Sequence, residues 1–350
     1  MAGGDQWLSG KRVMVTGCCG TIGSQLVRQL LEEYNAGDVV AIDNNETELF
    51  FQQQRFARFA GARFLLGDIR DRDKLVACMR GVDLVFHTAA YKHVVLCERS
   101  PFEAVQTNIL GVKNIIQAAF ESGVKRVIFT SSDKAVNPSS VMGTSKLMGE
   151  RLITAANSGD SKNRPVFAAT RFGNVLGSRG SVVPIFCEQI RRGGPVTLTH
   201  KDMSRFVMSI TEAVRLVVDS MEIARGGEVF VTKMPSLNIE DLARELIEIM
   251  APKYGFDPGD IAIQDIGTKP GEKMYEELIN IEETRRCIEL PAYFAILPAF
   301  RDIYGGIQYD YPNIVSDRVD RPYISSEEPK MTRKEIREFL LSNGLLEDPR

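Results

Sequence analysis

The sequence carries no metal-binding or disulfide signature. Its six cysteines (18, 19, 78, 97, 187 and 287) show no CxxC spacing and no pairing with the three histidines. This argues against a zinc framework or a disulfide-stapled domain, so reduced thiols and no metal ion are expected. Long apolar runs are missing as well: the longest are strand-sized, too short for a membrane span. The N-terminus, MAGGDQWLSGKRVMVTG, has no signal-peptide stretch. A cytoplasmic chain with no membrane partner is the expectation. Nor is there an excess of positive charge. The net charge of −3 and pI near 5.8 give no electrostatic basis for a nucleic-acid partner. Any cations that matter should be local and aimed at a small anionic ligand.

What is present is ordinary for an enzyme: 350 residues, 44% hydrophobic and 25% charged, without repeats or low-complexity linkers. Through about residue 170, short apolar runs at 12–15, 39–42, 63–66, 84–87, 126–130 and 166–171 alternate with helical patterns. The helical stretches include 22–34, 74–79, 103–122 and 143–156. Such alternation predicts an α/β fold, a doubly wound Rossmann-type parallel sheet, with a smaller C-terminal substrate-binding part. The expected division is 1–175 for dinucleotide binding and catalysis, 176–290 for the substrate, and 291–350 as an extension of unassigned role. Some elements of the middle part are allowed to return to the first. Beyond residue 175 Gly and Pro become frequent (GSRGSVVP, RRGGPVTL, GTKPGEK), and a last helix is expected at 332–343.

The first strand runs into Thr16-Gly17-Cys18-Cys19-Gly20-Thr21-Ile22-Gly23 and then a helix. Three glycines at this spacing permit a tight turn, close approach of backbone to a pyrophosphate, and close helix–sheet packing. Asp43, 20 residues after Gly23 at the end of the second strand, would accept hydrogen bonds from ribose hydroxyls and repel a 2′-phosphate. NAD is therefore preferred. NADP stays open, because Arg55 and Arg58 follow on the next helix. Asn44 beside Asp43, Asp68 and Ile69 after the third strand, and Ala89 and Ala90 after the fourth complete the expected cofactor contacts.

After the fifth strand comes Ser131-Ser132-Asp133-Lys134, then Met142-Gly143-Thr144-Ser145-Lys146. A polar cluster at the C-terminal end of a parallel strand lies where ligands bind in such folds. With His87-Thr-Ala-Ala-Tyr-Lys-His-Val94, Arg171-Phe-Gly-Asn-Val175, Arg179-Gly-Ser-Val-Val-Pro184, Ser204-Arg-Phe206 and Gly271-Glu-Lys273, the chain resembles the extended short-chain dehydrogenases. Within them it is similar to the nucleotide-sugar 4,6-dehydratases, the UDP-N-acetylglucosamine group of polysaccharide biosynthesis. The resemblance covers roughly residues 10–285. The usual catalytic tyrosine is Met142, and a thioether cannot act as a base; the group includes members with Met here.

That resemblance implies an enzyme that oxidises C4 of the sugar, eliminates water across C5 and C6, and returns the hydride to C6. It makes Lys134 the C5 base, Asp133 the acid for the C6 hydroxyl, Ser132 a partner of the C4 oxygen, and Lys146 the holder of the nicotinamide ribose. The base at O4 stays open, with water relayed through Ser132 or Lys146 as the candidate. Lys92 and His93 are expected at the sugar. Asn174, Arg179, Arg205, Lys233, Glu272 and Lys273 are expected at the substrate's sugar and phosphates, where arginine supplies paired donors. A sugar-nucleotide 4-epimerase is the nearest rival, and a silent NAD-binding regulatory protein is the rival of another class. A homo-oligomer, dimer or larger, and a pathway aminotransferase as partner are implied by family alone.

Overall fold

The structure, a computed structural model, describes residues 5–158, 164–268, 271–304 and 306–346. They form two compact units, Met1–Phe172 with Val214–Thr232 and Ile281–Arg321, and Gly173–Ala213 with Lys233–Asn280 and Pro322–Arg350.

The first unit is built on strands β1 (Arg12–Thr16), β2 (Asp38–Asp43), β3 (Ala62–Leu66), β4 (Leu84–His87), β5 (Arg126–Thr130), β6 (Val166–Arg171), β7 (Val229–Thr232), β8 (Cys287–Glu289) and β9 (Tyr293–Ile296). They make one sheet in the order β3-β2-β1-β4-β5-β6-β7-β9-β8. The first seven are parallel, while β9 runs antiparallel to both β7 and β8. Central strands such as Arg12-Val-Met-Val-Thr16 are apolar on both faces because helices cover both sides. The six strands expected from the sequence are all present, within a residue at either end. Their order reverses between β1 and β4, the switch point where a crevice opens at the carboxyl ends.

The helices of this unit are α1 (Thr21–Glu32), α2 (Glu46–Arg55), α3 (Arg72–Met79), α4 (Val94–Arg99), α5 (Pro101–Ala104), α6 (Gly111–Ser122) and α7 (Val141–Ala155). The helix expected at 103–122 is not continuous: a π-helical turn, Val105–Leu110, separates α5 from α6. The turn carries Asn108 inward, 1% exposed. Its side chain donates to Tyr91 O and Ser145 Oγ, both at 2.9 Å, and accepts from Tyr91 N. A 3.6-residue sequence period does not reveal such a widening.

In the second unit, helices Val182–Arg191, Ile239–Met250 and Arg333–Ser342 pack around Val183, Phe186, Leu242, Leu246, Ile336 and Leu340. The last helix opens with a capping box, Thr332 with Glu335. Arg333 and Arg337 clasp the buried Glu245 at 2.6 and 2.8 Å. Of the stretch 291–350, residues up to 321 lie in the first unit and the rest in the second. Residues 305 and 347–350, like 269–270 in GTKPGEK, lie outside the described residues.

Arg171, at the end of β6, is the largest charged group buried in the first unit, 1% exposed. Nε and Nη2 donate to Glu150 of α7 at 2.8 and 2.7 Å, and Nη1 and Nη2 donate to Glu283 at 2.8 and 2.7 Å. Removing the arginine would strand the buried Glu150 and leave Glu283 with Arg286 at 3.8 Å. Arg171→Met should cost about 3–5 kcal/mol of stability at neutral pH, read as a lower guanidinium midpoint. Burial would then raise both glutamates above their unfolded values, so the deficit should shrink as pH falls and they protonate. A deficit that does not change with pH would contradict this account.

Candidate active site

The turn after β1 is shaped by what it cannot accommodate. Gly17 sits at φ 72°, and a Cβ there would lie 2.7 Å from the Ala89 backbone. A Cβ on Gly23 would lie 2.1 Å from Gly17 O, and one on Gly20 would lie 3.3 Å from the same oxygen. Gly20 caps α1 without a side-chain hydrogen bond, so the first N–H groups of the helix are not masked by a capping side chain and suit an anion.

A cleft of about 270 Å³ opens beside this turn, lined by Gly17, Gly20, Asp43, Asn44, Asp68, Ile69, Ala89 and Ala90 among the expected cofactor residues. Cys19, Ile42, Asn45, Gly67, Thr88, Tyr91 and Thr107 line it too, none of them among the expected cofactor contacts. Asp43 is held by backbone: Oδ2 accepts from Cys19 N at 2.9 Å and Oδ1 from Asn45 N at 3.0 Å. Asp68 accepts from Arg70 at 2.8 Å and from Asn44 at 3.2 Å. Burial raises its pKa, but the hydrogen bonds from Arg70 and Asn44 win and hold the carboxyl below the ordinary value. Thr16 faces inward, its hydroxyl 2.7 Å from His87 Nδ1. Thr21, Ile22 and Gly23 form the first turn of α1 and do not line the cleft. Arg58 is turned to Glu32 at 2.8 Å, and Arg55 lies over Phe56.

Beyond β5 the chain makes a 3-10 turn, Asp133–Ala135, capped by Ser132. Ser132 Oγ donates to Asp133 Oδ1 at 2.7 Å, and Lys134 Nζ donates to both Asp133 oxygens at 3.1 and 2.9 Å. The Asp133 side chain is 4% exposed and that of Lys134 36%. Asp133 N donates to Phe172 O at 2.9 Å, which ties the turn to the end of β6. Helix α7 approaches closely: a Cβ on Gly143 would lie 2.2 Å from Lys134 O. One turn further, Lys146 Nζ donates to Thr130 O at 2.9 Å and lies 4.7 Å from the Phe129 ring centre. Met142, 3% exposed, sits among Cys97, Ala104, Val94 and Val141, and its thioether has no proton to exchange. His87 is fully buried, its pKa pushed down to about 3 by burial and then by Lys146.

Lys92 and His93 are exposed between β4 and α4, His93 at the helix cap. In the second unit, Asn174 Nδ2 donates to both oxygens of Glu276 at 2.8 Å. Arg205 Nε lies 3.4 Å from Glu276, and its Nη2 lies 3.6 Å from Glu272. Glu276, 4% exposed, is the residue that organises this group. Nothing in the sequence marks it, since a glutamate in Glu276-Glu277 reads as surface charge. Arg179 is exposed; Lys233 and Lys273 are half-buried.

A dinucleotide crevice at a switch point, with a polar cluster and a buried lysine after β5, defines the extended short-chain dehydrogenase/reductase class. A family model described as polysaccharide biosynthesis protein matches residues 13–298, and the chain belongs to that family. It is 47% identical to an uncharacterised membrane protein of Methanocaldococcus jannaschii, over 93% of this chain and 96% of that one. It is 37% identical to a UDP-N-acetylglucosamine 4,6-dehydratase (inverting) of Campylobacter jejuni, covering 83% and 84%. A UDP-glucose 4-epimerase of Rickettsia typhi is 36% identical, covering 95% and 96%. The crystal structure of Pen from Bacillus thuringiensis superposes with a TM-score of 0.90 at 38% identity, covering 97% and 100%. Among the described residues no helix is long and apolar enough to cross a membrane.

Burial pushes the Lys146 pKa down to about 8 from 10.5, with Glu150 and Cys97 acting in the opposite direction. At neutral pH the folded chain holds a charged group it disfavours, and stability due to this residue rises between about pH 8 and 10.5. Lys146→Met should therefore unfold at a higher denaturant concentration than the parent at pH 7, by at most about 3 kcal/mol, and the advantage should vanish toward pH 10. A less stable variant at pH 7 would show that the Thr130 hydrogen bond outweighs desolvation.

Proposed function

We propose that this protein is an NAD-dependent nucleotide-sugar 4,6-dehydratase, acting on a UDP-N-acetylhexosamine, with UDP-N-acetylglucosamine as the first candidate. The observation that carries this reading is the Ser132–Asp133–Lys134 cluster at the end of β5, facing chemistry that Met142 cannot perform. The Gly17–Gly23 cradle and Asp43 suit NAD: side chains at the glycines would collide with backbone, and the carboxylate repels a 2′-phosphate. The bound nicotinamide supplies reversible acceptance of the C4 hydride and its return to C6. Lys146 would hold its ribose, and Ala89 and Ala90 would flank it. Lys92 and His93 are assigned to the sugar, and Asn174, Arg179, Arg205, Lys233, Glu272 and Lys273 to the rest of the substrate. The relatives' names support the class, a lyase or an epimerase, and the acid–base pair favours the lyase.

Oxidation at C4 makes the C5 hydrogen acidic and puts the C6 hydroxyl beta to a ketone. Elimination then needs a base and an acid together. As folded, Asp133 and Lys134 are an ion pair, the opposite protonation state to the one required. Ser132 links the two steps: a proton leaving O4 can pass through its hydroxyl to Asp133, 2.7 Å away, which makes the acid. Lys134, partly open to solvent, sheds its proton to water and becomes the C5 base. After elimination both regain their folded state; as the hydride reaches C6, Lys134 gives a proton to C5 and takes one back from water. The count closes with no net oxidant.

Incubation with UDP-N-acetylglucosamine in D2O, followed by mass spectrometry and NMR, tests the reading. The expected product has lost one water, carries a 4-keto-6-deoxy sugar and holds deuterium at C5, whose configuration shows retention or inversion. Unchanged mass with an inverted C4 hydroxyl would make the protein an epimerase. NAD binding with no reaction on UDP- or GDP-sugars would support a silent binder. Gly143→Ala, which drives a methyl into Lys134 O, should lower kcat about 100-fold while NAD affinity is kept. Unaltered kcat would dissociate that turn from the chemistry.

A further inference from the structure

The glycine-rich turn contains two groups that dinucleotide binding does not require. Cys18 and Cys19, 1% and 5% exposed, stand side by side against Asp43. Their two sulfurs and a carboxylate oxygen all lie within 4.8 Å of one another. The turn is held in this arrangement by backbone, since Cys19 N donates to Asp43 Oδ2 at 2.9 Å. Cys19 and Asp43 line the cleft, so the group opens onto solvent on one side, while Cys18 is 1% exposed. Among the described residues no Lys or Arg forms an ion pair with Asp43.

We propose that Cys18, Cys19 and Asp43 form a binding site for a thiophilic divalent cation such as Zn²⁺ or Cd²⁺, and that this ion and the dinucleotide exclude one another. Two sulfur donors and one oxygen select a soft or borderline cation over Mg²⁺ or Ca²⁺. Metal–sulfur and metal–oxygen bonds of about 2.3 and 2.1 Å place tetrahedral ligands about 3.4–3.8 Å apart. Closing the group onto an ion therefore takes side-chain movements of about 1 Å. Water from the cleft completes the coordination. On binding, the two thiols lose protons to solvent and nothing is oxidised or reduced. The hydrogen bond between the thiols, burial and the neighbouring Asp43 charge all raise the Cys18 pKa. Exclusion follows because the carboxylate that ligates the ion is the one that faces the adenosine ribose, and the loop that meets the pyrophosphate would be drawn toward the metal.

The test is titration of the whole chain, reduced with a phosphine under argon, with CdCl2 alone. An ultraviolet thiolate-to-metal charge-transfer band should rise and saturate at one equivalent. NAD at a hundred times its own Kd should raise the apparent Cd²⁺ Kd about 100-fold. ZnCl2 should remove the band competitively. Cys18→Ser and Cys19→Ser should each weaken binding by more than the roughly 10–100-fold seen for loss of an outer partner, with far-UV circular dichroism confirming the fold. Cys78→Ser and Cys187→Ser should leave the band intact. No band at one equivalent, a band that survives both Cys18→Ser and Cys19→Ser, or one indifferent to NAD would overturn the proposal. If either variant fails to fold, the NAD competition in the unaltered chain decides alone.

Discussion

Arg171 holds β6, α7 and the stretch after Ile281 to a single charged centre inside the first unit. Arg286 also lies 3.8 Å from Glu283, and the Glu150 carboxylate lies one helical turn from Lys146 on α7. That charge helps keep an ammonium in a site that burial disfavours. The same helix presents Gly143 to the Lys134 carbonyl. The position of α7 therefore fixes both the buried lysine and the turn carrying Asp133. Replacing such a triad with apolar groups can be neutral for stability. Its use here is to set register between a helix and a strand, and to set an electrostatic potential where catalysis needs one.

The parallel core was legible because each strand is a continuous apolar run followed by a polar turn, and because the crossover rule leaves few orders for such runs. The glycine turn was legible because its steric demands admit one residue type. β8 and β9 were not, being three and four residues long, too short to show a period; tertiary pairing beside β7 makes them strands. The π-helical turn also escaped, since its only sequence sign is a polar Asn108 in a helical face. Glu276 was missed for a related reason: burial, which the sequence does not record, separates it from Glu277. The Cys18–Cys19–Asp43 group joins residues 24 apart, so spacing rules written for ligands close in sequence pass over it.

Two electrostatic regimes coexist in the first unit. Around Asp43 and Asp68, carboxylates accept from backbone amides, Asn44 and Arg70 while facing a cleft that would receive ribose hydroxyls. Around Lys146 the surroundings are apolar, and a cation survives on one carbonyl, one ring face and the carboxylate of Glu150 one turn away. An overall charge of −3 says nothing about either. Binding an anionic ligand to an acidic protein depends on local supply, and in the second unit Arg205 faces Glu272 and Glu276. A phosphate there must displace or share those carboxylates, which would make nucleotide affinity sensitive to their arrangement.

The replacement of a tyrosine by Met142 clarifies which proton transfers the proposed chemistry needs from the protein. In a plain dehydrogenase one phenol, lowered by a lysine, moves a single proton at the carbinol oxygen. A dehydratase must also deprotonate carbon and protonate a leaving hydroxyl, and these two events occur at C5 and C6, next to C4. A hydroxyl that touches a carboxylate, which in turn touches an ammonium, connects three sites in one chain of hydrogen bonds. Once that chain exists, a separate phenol at O4 is redundant. Its position can be filled by a thioether that packs Cys97 and Ala104 and seats the start of α7. The apolar nest around Met142 fits the proposed dehydratase, in which the acid–base work sits at the strand end.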